Sequence, residues 1–236
     1  MKKYELVAND IKAKIISGYY AKGSILPDQK TLAEDFAVSK ITIKNALDNL
    51  ANAGFVLKTS GFGTVVIGPS TLITDKDAPA SNFEGLTDQA GAERVASKVI
   101  KFDLEFPSAE VKTHLNINDE EPVYHIIRLR LLDGDPFIIE NTYMPVALVP
   151  GLSQSVLESS IYTYIHDTLH LKFAGISRNI QARQADELDM RYLNVSKNSA
   201  ILEIEQIVWL VNGKPIEYST SRNDSNKRSY YLFETM

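Results

Sequence analysis

Apolar residues near the start of the chain recur every three or four positions, which is the spacing of one buried helical face. The runs are Tyr4, Val7, Ile11 and Ile15; Leu32, Ala33 and Phe36; and Ile43, Ala46, Leu47 and Leu50. Asp28 and Ser39 stand just before the second and third runs, where a side-chain oxygen can accept from the free amides of a first turn. The pattern predicts three helices, the last two joined as in a helix-turn-helix.

A two-stranded hairpin is predicted after the third helix. Gly54 suits the left-handed position that follows the end of a helix. Phe55–Lys58 and Thr64–Ile67 have the composition of strands, and Gly61 and Gly63 lie in the turn between them. A hairpin in this place makes the predicted helix-turn-helix a winged one.

One face of the third helix lies outside the apolar run. That face carries Lys40, Ile41, Lys44 and Asn45 near the beginning of the helix. A helix-turn-helix points this end of its second helix into the major groove of DNA. We therefore predict that residues 1–68 form a DNA-binding domain.

The pattern changes after residues 69–82, a segment with prolines and small residues that we interpret as a linker. Strands are then predicted at Val95–Phe106, Pro122–Leu132, Phe137–Met144, Ile201–Val211 and Lys214–Ser221, and helices at Ala109–Leu115, Ser160–Leu169 and Ala185–Leu193. Antiparallel hairpins separated by helices predict an α+β domain over residues 83–236, with a mainly antiparallel sheet and flanking helices.

Four donor side chains in this second domain are candidates for holding an anion. Side chains alternate along a strand, so Arg128 and Arg130 leave the same face and repel each other unless an anion lies between them. Ser160 stands at a predicted helix start, and the Tyr162 phenol follows it. The alternatives are salt bridges to strand carboxylates for the arginines, a helix cap for Ser160 and a packed ring for Tyr162.

Two acids extend this candidate site. If Asn212-Gly213 is a two-residue type I′ turn, Glu217 lies opposite Val208 on an apolar face, where it needs a partner. That partner is either an arginine of the domain or a polar group of a ligand, and a bulge would reverse the face. Glu140 pairs with Arg128 if the loop Asp133–Asp135 counts three residues, and points elsewhere if it counts two.

Composition narrows the class of protein without deciding it. Residues 1–68 hold nine lysines and six acids, whereas residues 69–236 hold 16 Lys or Arg and 24 Asp or Glu. The chain has no cysteine and four histidines; His166 and His170 have the spacing of a ligand pair but no apparent third ligand. No apolar run approaches the ~20 residues of a membrane helix. We expect a cytoplasmic protein of two domains without a metal or cofactor.

The first domain resembles the N-terminal domain of the GntR family of bacterial transcription regulators. The resemblance rests on Gly18, Gly23, Leu26-Pro27, Leu32-Ala33, Phe36, Val38-Ser39, Thr42, Ala46-Leu47, Gly54, Gly61 and Gly63-Thr64. The usual Ser-Glu after Leu-Pro is Asp28-Gln29, and three lysines stand where the family favours arginine. The resemblance implies operator contacts by Lys30, Lys40, Thr42, Lys44 and Asn45, with a wing around Gly61 and Gly63.

The second domain resembles the UTRA effector-binding domain of HutC-like members of that family, whose fold is similar to chorismate lyase. The matching pieces are Phe83-Glu84-Gly85, Arg128-Leu129-Arg130, Asp133-Gly134 with Pro136, Glu140, Tyr143 with Pro145, Ser160-Ile161-Tyr162 and Gly213-Lys214-Pro215-Ile216-Glu217. The resemblance implies a homodimeric regulator, more often a repressor, whose affinity for double-stranded operator DNA changes when a small anionic metabolite such as a sugar phosphate binds.

The effector-binding residues implied by this resemblance are Arg128, Arg130, Glu140, Ser160, Tyr162 and Glu217, with backbone from Phe83 and Gly85. Two other classes of function remain open on the sequence. One is a constitutive DNA-binding protein whose second domain only dimerises. The other is an enzyme on a chorismate-lyase-like fold, although no nucleophile with a base, and no catalytic residue, is identified.

Overall fold

The structure, a computed structural model, describes residues 3–68, 77–80 and 85–233. These residues group into two compact units. One unit is Met1–Asn82 with Tyr230–Met236, and the other is Phe83–Ser229. Each unit has its own hydrophobic core and is described by itself.

The first unit is a winged helix-turn-helix. Its helices are α1 (Lys3–Ile16), α2 (Gln29–Asp35) and α3 (Lys40–Asn52), and its wing is β1 (Val56–Thr59) paired antiparallel with β2 (Gly63–Val66). The core consists of the apolar positions that the helical spacing identifies, among them Ile11, Leu32, Ile43, Leu47 and Leu50, each at most 1% exposed. The predicted fold of this part is confirmed.

Both predicted caps form. Asp28 Oδ1 accepts from the amides of Lys30 and Thr31 at 2.9 and 2.8 Å, and Ser39 Oγ accepts from the amide of Thr42 at 3.1 Å. Gly54 follows α3 with φ of 72°, a backbone conformation in which a Cβ is strained. These local bonds fix where α2 and α3 begin and where α3 ends.

The second unit is built on a six-stranded antiparallel sheet in the order β4-β5-β6-β9-β8-β7. Its strands are β4 (Val95–Glu105), β5 (Val123–Leu132), β6 (Asp135–Pro145), β7 (Phe173–Gln184), β8 (Ala200–Leu210) and β9 (Pro215–Asp224). Its helices are α4 (Leu86–Ala90), α5 (Ala109–Leu115), α6 (Gln154–Glu158), α7 (Ile161–Thr163), which continues as a π-helix over Tyr164–Thr168, and α8 (Glu187–Tyr192). The predicted α+β class is confirmed.

The two faces of this sheet pack against different helices. Ile126, Met144 and Val208 face the apolar side chains of α6, α7 and the π-helix. Leu129, Ile139 and other apolar side chains of the opposite face pack near α8, and Val111 and Leu115 of α5 lie against Tyr218. Arg128 and Arg130 lie on the first face, as the alternation along β5 predicts.

A two-residue turn joins β5 to β6. Asp133 and Gly134 both have positive φ, 51° and 86°, as in a type I′ turn. The register then shifts, because Leu131 pairs with Pro136 but Arg130 pairs with Ile138. The extra residue, Phe137, is a β-bulge, and it restores the pairing of Arg128 with Glu140 that a two-residue turn alone would not give.

The hairpin of β8 and β9 differs from the prediction at its turn. The Gly213 amide donates to Leu210 O at 2.8 Å, and the Leu210 amide donates to Lys214 O at 2.9 Å, so the loop has three residues. Asn212 is not among the residues with positive φ, and the predicted type I′ turn is therefore wrong. A bulge at Ile216 compensates, and Glu217 still lies opposite Val208.

Two short strands lie outside these sheets. β3 (Asp77–Pro79) pairs with β10 (Ser229–Tyr231), and the Ala80 amide donates to Tyr231 O at 2.8 Å. Most of the predicted linker, 69–82, lies outside the described residues, so the domain limits stay predictions. None of the described helices has the length and apolar character needed to cross a membrane.

Candidate functional site

The outward side of α3 is the first candidate site. Lys40, Ile41, Lys44 and Asn45 are all exposed there, and we call them the recognition face. Lys30, on α2, is exposed as well. These side chains are available to phosphates or base edges, as the sequence predicts.

Thr42 differs from its neighbours because its polar groups hydrogen-bond at the N-terminus of α3. Its amide donates to Ser39 Oγ, and the two hydroxyl oxygens lie 2.9 Å apart. The side chain is only half-buried. Its hydroxyl therefore helps to fix the beginning of α3, and contact with DNA would have to share it.

The wing is tied to α3 by an ion pair between Lys58 and Asp48. At the tip of the wing, Gly61 and Gly63 are exposed and have positive φ of 75° and 113°. A tight turn with exposed backbone amides suits the approach of a phosphate or the floor of a groove. The structure thus places both predicted wing residues at the tip.

The second candidate site lies on the first face of the sheet, and its centre is a buried group of charges. Arg128 and Arg130 are 5% and 4% exposed. Arg128 Nη2 donates to Glu140 Oε2 at 2.6 Å, and Arg130 Nη1 donates to Glu140 Oε1 at 3.2 Å. Two guanidiniums share a single carboxylate, so this group holds one positive charge in excess.

Further donors of the two arginines are held by other groups. Arg128 Nη1 donates to Leu157 O of α6 at 2.9 Å, and Arg130 Nη2 donates to Thr87 Oγ1 of α4 at 2.7 Å. Both Nε atoms are buried without a hydrogen-bond partner in the described residues. A buried donor without a partner is destabilising, and a ligand acceptor would relieve it.

Electrostatics keeps this group charged. Burial opposes ionisation of Glu140, but Arg128 and Arg130 together hold the pKa of its carboxyl below the ordinary value. Burial also lowers the pKa of Arg128, and the charge of Arg130 acts in the same direction while Glu140 opposes it. An additional anion would compensate the repulsion between the arginines.

Glu217 lies on the same face, two strands away from the arginines. It is 4% exposed, and its Oε1 accepts from Gln206 Nε2 at 2.8 Å and from Ser219 Oγ at 2.7 Å. The same Gln206 Nε2 donates to the Tyr162 hydroxyl at 3.4 Å. Burial raises the pKa of Glu217 against these hydrogen bonds, and burial beside Glu217 raises the pKa of Tyr162. We call Arg128, Arg130, Glu140, Tyr162 and Glu217 the sheet site.

Ser160 occupies the helix start that the sequence predicts, but its hydroxyl is a cap. Its Oγ accepts from the Thr163 amide at 3.2 Å at the beginning of α7. Gly85 is the N-cap residue of α4, the helix whose Thr87 binds Arg130. Phe83, also predicted to contribute backbone, lies outside the described residues.

Sequence reasoning missed four residues around the sheet site. Thr87, Gln206 and Ser219 hydrogen-bond directly to it, and Arg178 Nε donates to Gln206 Oε1 at 3.2 Å across β7 and β8. Cross-strand pairing of Arg178 with Gln206 and of Gln206 with Ser219 extends the polar row over three strands. The one available signal is that Gln206 lies on the face of β8 whose other members, Leu202, Ile204, Val208 and Leu210, are apolar.

The opposite face of the sheet carries a separate polar cluster. Ligand atoms of Glu110, His114 and Glu205 lie within 4.8 Å of one another, and the Tyr218 hydroxyl lies 3.0 Å from Glu110 Oε1 and 2.8 Å from Glu205 Oε1, within donating distance of either. His166 and His170, which have the spacing of a ligand pair, do not lie on one helix, because His170 follows the π-helix with φ of 54°.

Known protein families match the two parts of the chain that contain the two candidate sites. Residues 3–66 match the model of the bacterial regulatory proteins of the gntR family, and residues 91–227 match the model of the UTRA domain. The chain is 38% identical over 227 residues to the HTH-type transcriptional regulator GmuR of Bacillus subtilis (strain 168), with 96% of each chain covered.

Two further relatives extend the comparison. The chain is 30% identical over 227 residues to MngR of Escherichia coli (strain K12), a repressor of a mannosyl-D-glycerate transport and metabolism system, with 96% of this chain and 92% of MngR covered. The crystal structure of YydK, a possible transcriptional regulator from Bacillus subtilis, superposes with a TM-score of 0.80 at 28% identity, with both chains covered in full.

The region that matches the gntR model contains the capped recognition helix and the wing. The region that matches the UTRA model contains the sheet with its buried arginines and acids. The chain belongs to the gntR family of bacterial regulatory proteins and combines its helix-turn-helix with a UTRA domain, as a ligand-responsive, DNA-binding transcription regulator.

Proposed function

We propose that this regulator is a homodimeric repressor whose operator affinity changes when a small anionic metabolite binds at the sheet site. The observation that carries the proposal is the shared carboxylate: among the acids that the structure describes, Glu140 is the one that pairs with the buried Arg128 and Arg130. Arg128, Arg130 and Glu140 together carry one net positive charge. Glu217 attracts Arg128 but forms no ion pair with either arginine, so a ligand phosphate or carboxylate would supply the direct counter-ion.

The roles of the site residues follow from their contacts. Arg128 and Arg130 are donors only, so they hold the anionic group, and Glu140 fixes both guanidiniums. Glu217 and Tyr162 form the polar end at which hydroxyl groups of the effector bind. Ser160 contributes through the position of α7, since its hydroxyl caps that helix. Gly85 contributes backbone at the start of α4, and Phe83 contributes backbone as well.

A sugar phosphate is the proposed class of effector. It combines a dianion for the arginines with hydroxyl groups for the acids. The name of MngR ties that relative to a glycoside of an acid. The site is proposed to bind and release its ligand without turnover, which assays for conversion of the bound ligand test.

In the DNA-binding unit, Lys30, Lys40, Lys44 and Asn45 are proposed to contact the operator, with Thr42 at the helix start and the wing backbone at Gly61 and Gly63. Dimerisation is part of the proposal, because two linked half-sites gain affinity through effective concentration. A protein that acts on operator DNA works in the cytoplasm.

The experiment uses purified full-length protein and a duplex selected from a random-sequence library. Native mass spectrometry first looks for a co-purified small anion and for the dimer. Fluorescence anisotropy then measures the Kd for the duplex with sugar phosphates and with the same sugars unphosphorylated. We expect phosphorylated compounds alone to change the Kd.

An unchanged Kd with every compound would favour constitutive DNA binding. A response to the neutral sugars alone would overturn the anionic class. Monomers at micromolar concentration that bind a palindrome tightly would contradict the dimer.

A further inference from the structure

Ile41 is the apolar member of an otherwise polar recognition face. It is the second residue of α3, and 71% of its surface is exposed. Its neighbours on that side, Lys40, Lys44 and Asn45, are exposed polar or charged residues. The buried side of α3 is already filled by Ile43, Ala46, Leu47 and Leu50, so Ile41 adds nothing to the core.

The place of Ile41 restricts what it can contact when the protein binds DNA. The first turn of a helix-turn-helix recognition helix reaches base edges in the major groove. Most groups in that groove are hydrogen-bond donors or acceptors, and the C5 methyl of thymine is the apolar exception. An isoleucine side chain has no hydrogen-bonding group, so among the bases it favours thymine.

We propose that Ile41 determines operator specificity by packing against the C5 methyl of one thymine in each half-site. The inference rests on the proposed contact of α3 with DNA and deepens it, because it assigns a base preference to one position. Burial of the methyl group against Ile41 removes apolar surface of both partners from water.

The local structure favours this role for Ile41 over its neighbours. Of the other first-turn residues with a methyl group, Ile43 is buried in the core, and Thr42 has its hydroxyl on the Ser39 cap and is half-buried. The lysines are donors that reach phosphate or guanine and do not distinguish thymine from uracil. Ile41 is also branched at Cβ, so little rotamer freedom is given up when it packs against a base.

Ile16 provides a matched control. It is also an isoleucine, it is 61% exposed at the last position of α1, and it lies outside α3 and the wing. I41A and I16A remove the same atoms from exposed positions in the same unit. Neither side chain belongs to the core, so both variants keep the fold, which circular dichroism checks.

The experiment begins with selection of bound duplexes from a random-sequence library by the wild-type protein. Each thymine of the selected sequence is then replaced by deoxyuridine, which removes only the C5 methyl. We expect one replacement in each half-site to weaken wild-type binding about fourfold, the effect of withdrawing one methyl group from an apolar contact. I16A should show the same weakening.

The prediction for I41A is that this discrimination disappears. Its affinity for the thymine duplex should fall to about that of the wild type for the duplex with deoxyuridine at the critical position of both half-sites, and that replacement should change the affinity of I41A by less than about twofold. If I41A keeps the full preference for thymine over deoxyuridine, the inference is wrong. If the wild type selects no sequence at all, the proposed DNA contact of α3 fails as well, so the two failures are distinguishable.

Discussion

The recognition face and the sheet site both depend on charged side chains, but they hold those charges in opposite environments. Lys40 and Lys44 are exposed. Arg128 and Arg130 are buried with one carboxylate between them. Water solvates the first pair, whereas protein groups must replace water for the second. Substitutions on α3 can therefore change DNA binding with little effect on the stability of the fold. In the sheet site, a substitution that changes effector binding also changes the stability of the fold.

Removal of the shared carboxylate tests that coupling with the largest expected effect. Glu140→Ala leaves two buried guanidiniums without their counter-ion, and removing one partner from a buried ion pair costs about 3–5 kcal/mol. We expect the free energy of unfolding, measured with urea, to fall by about that amount. Lys44→Ala, at an exposed position, should change it by less than about 0.5 kcal/mol.

A fall of less than about 1 kcal/mol for Glu140→Ala would contradict the comparison. It would mean that the arginines find other partners or water when the carboxylate is absent. Glu140→Gln, which keeps an acceptor oxygen and removes the charge, should lie between the wild type and Glu140→Ala.

The second prediction concerns effector binding. Arg130→Ala and Arg128→Ala each remove a charge-assisted donor worth ~1.5–3 kcal/mol, so effector affinity should fall roughly tenfold or more. Calorimetry with a sugar phosphate that changes the operator Kd measures this fall. Operator affinity without effector should barely move, because the arginines belong to the other unit.

Arg183 provides the control for this series. It lies in β7, pairs with Glu203 and has a half-exposed side chain. Arg183→Ala should leave effector affinity unchanged. Wild-type affinity in both Arg128→Ala and Arg130→Ala would remove the arginines from the effector site.

The third prediction concerns salt dependence on the recognition face. Lys40→Ala and Lys44→Ala should each weaken operator binding, and each should reduce the slope of log affinity against log salt by about one unit if its lysine neutralises one phosphate. Lys98 is an exposed lysine of β4 and provides the control, since Lys98→Ala should keep the wild-type slope. If all three variants keep that slope with folding intact, Lys40 and Lys44 do not contact phosphate.

The smallest expected effect is a pH dependence of opposite sign in the two units. Hydrogen bonds from Thr31 and Lys30 lower the pKa of Asp28 below 3.8. Its contribution to stability is present above that value and is lost as pH falls through the lower, folded-state pKa. Burial raises the pKa of Glu217 above 4.5. The contribution of the protonated Glu217 carboxyl to stability is complete below pH 4.5 and is lost as the pH rises through the raised pKa.

Isosteric amides test both directions. Asp28→Asn keeps a good N-cap, and Glu217→Gln keeps an acceptor for Ser219 and Gln206. Urea unfolding between about pH 3 and pH 8 should show a weaker destabilisation by acid in the first variant and a weaker destabilisation toward neutral pH in the second. Identical profiles for Glu217→Gln and the wild type would show that this carboxyl does not titrate with unfolding.

The fold of the first unit could be predicted almost entirely from the sequence. α2 and α3 begin directly after residues whose side chains form the caps, Asp28 and Ser39, and α3 ends just before Gly54. Its functional candidates are the polar residues left exposed once the apolar stripe is buried. Both signals are local, and spacing along the chain is sufficient to find them.

The sheet site depends on contacts that spacing cannot reveal. Thr87 and Arg130 are 43 residues apart, and Glu217 and Gln206 meet only because β8 and β9 pair in one particular register. The sequence pattern does not predict β7, because its outer positions are polar and exposed at an edge of the sheet. Both arginines and both acids could be identified from the sequence, but not that one acid serves both arginines.

The bulges at Phe137 and Ile216 decide which face of the sheet Glu140 and Glu217 point to. Each hairpin has one extra residue between its turn and its acid, and the two turns differ in length by one. Removal of either bulge would shift the acid by one position relative to the paired strand and turn its carboxylate to the opposite side of the sheet. A one-residue insertion at a tip therefore leaves the acid on its face only if the added residue stays in the loop or is absorbed by a bulge.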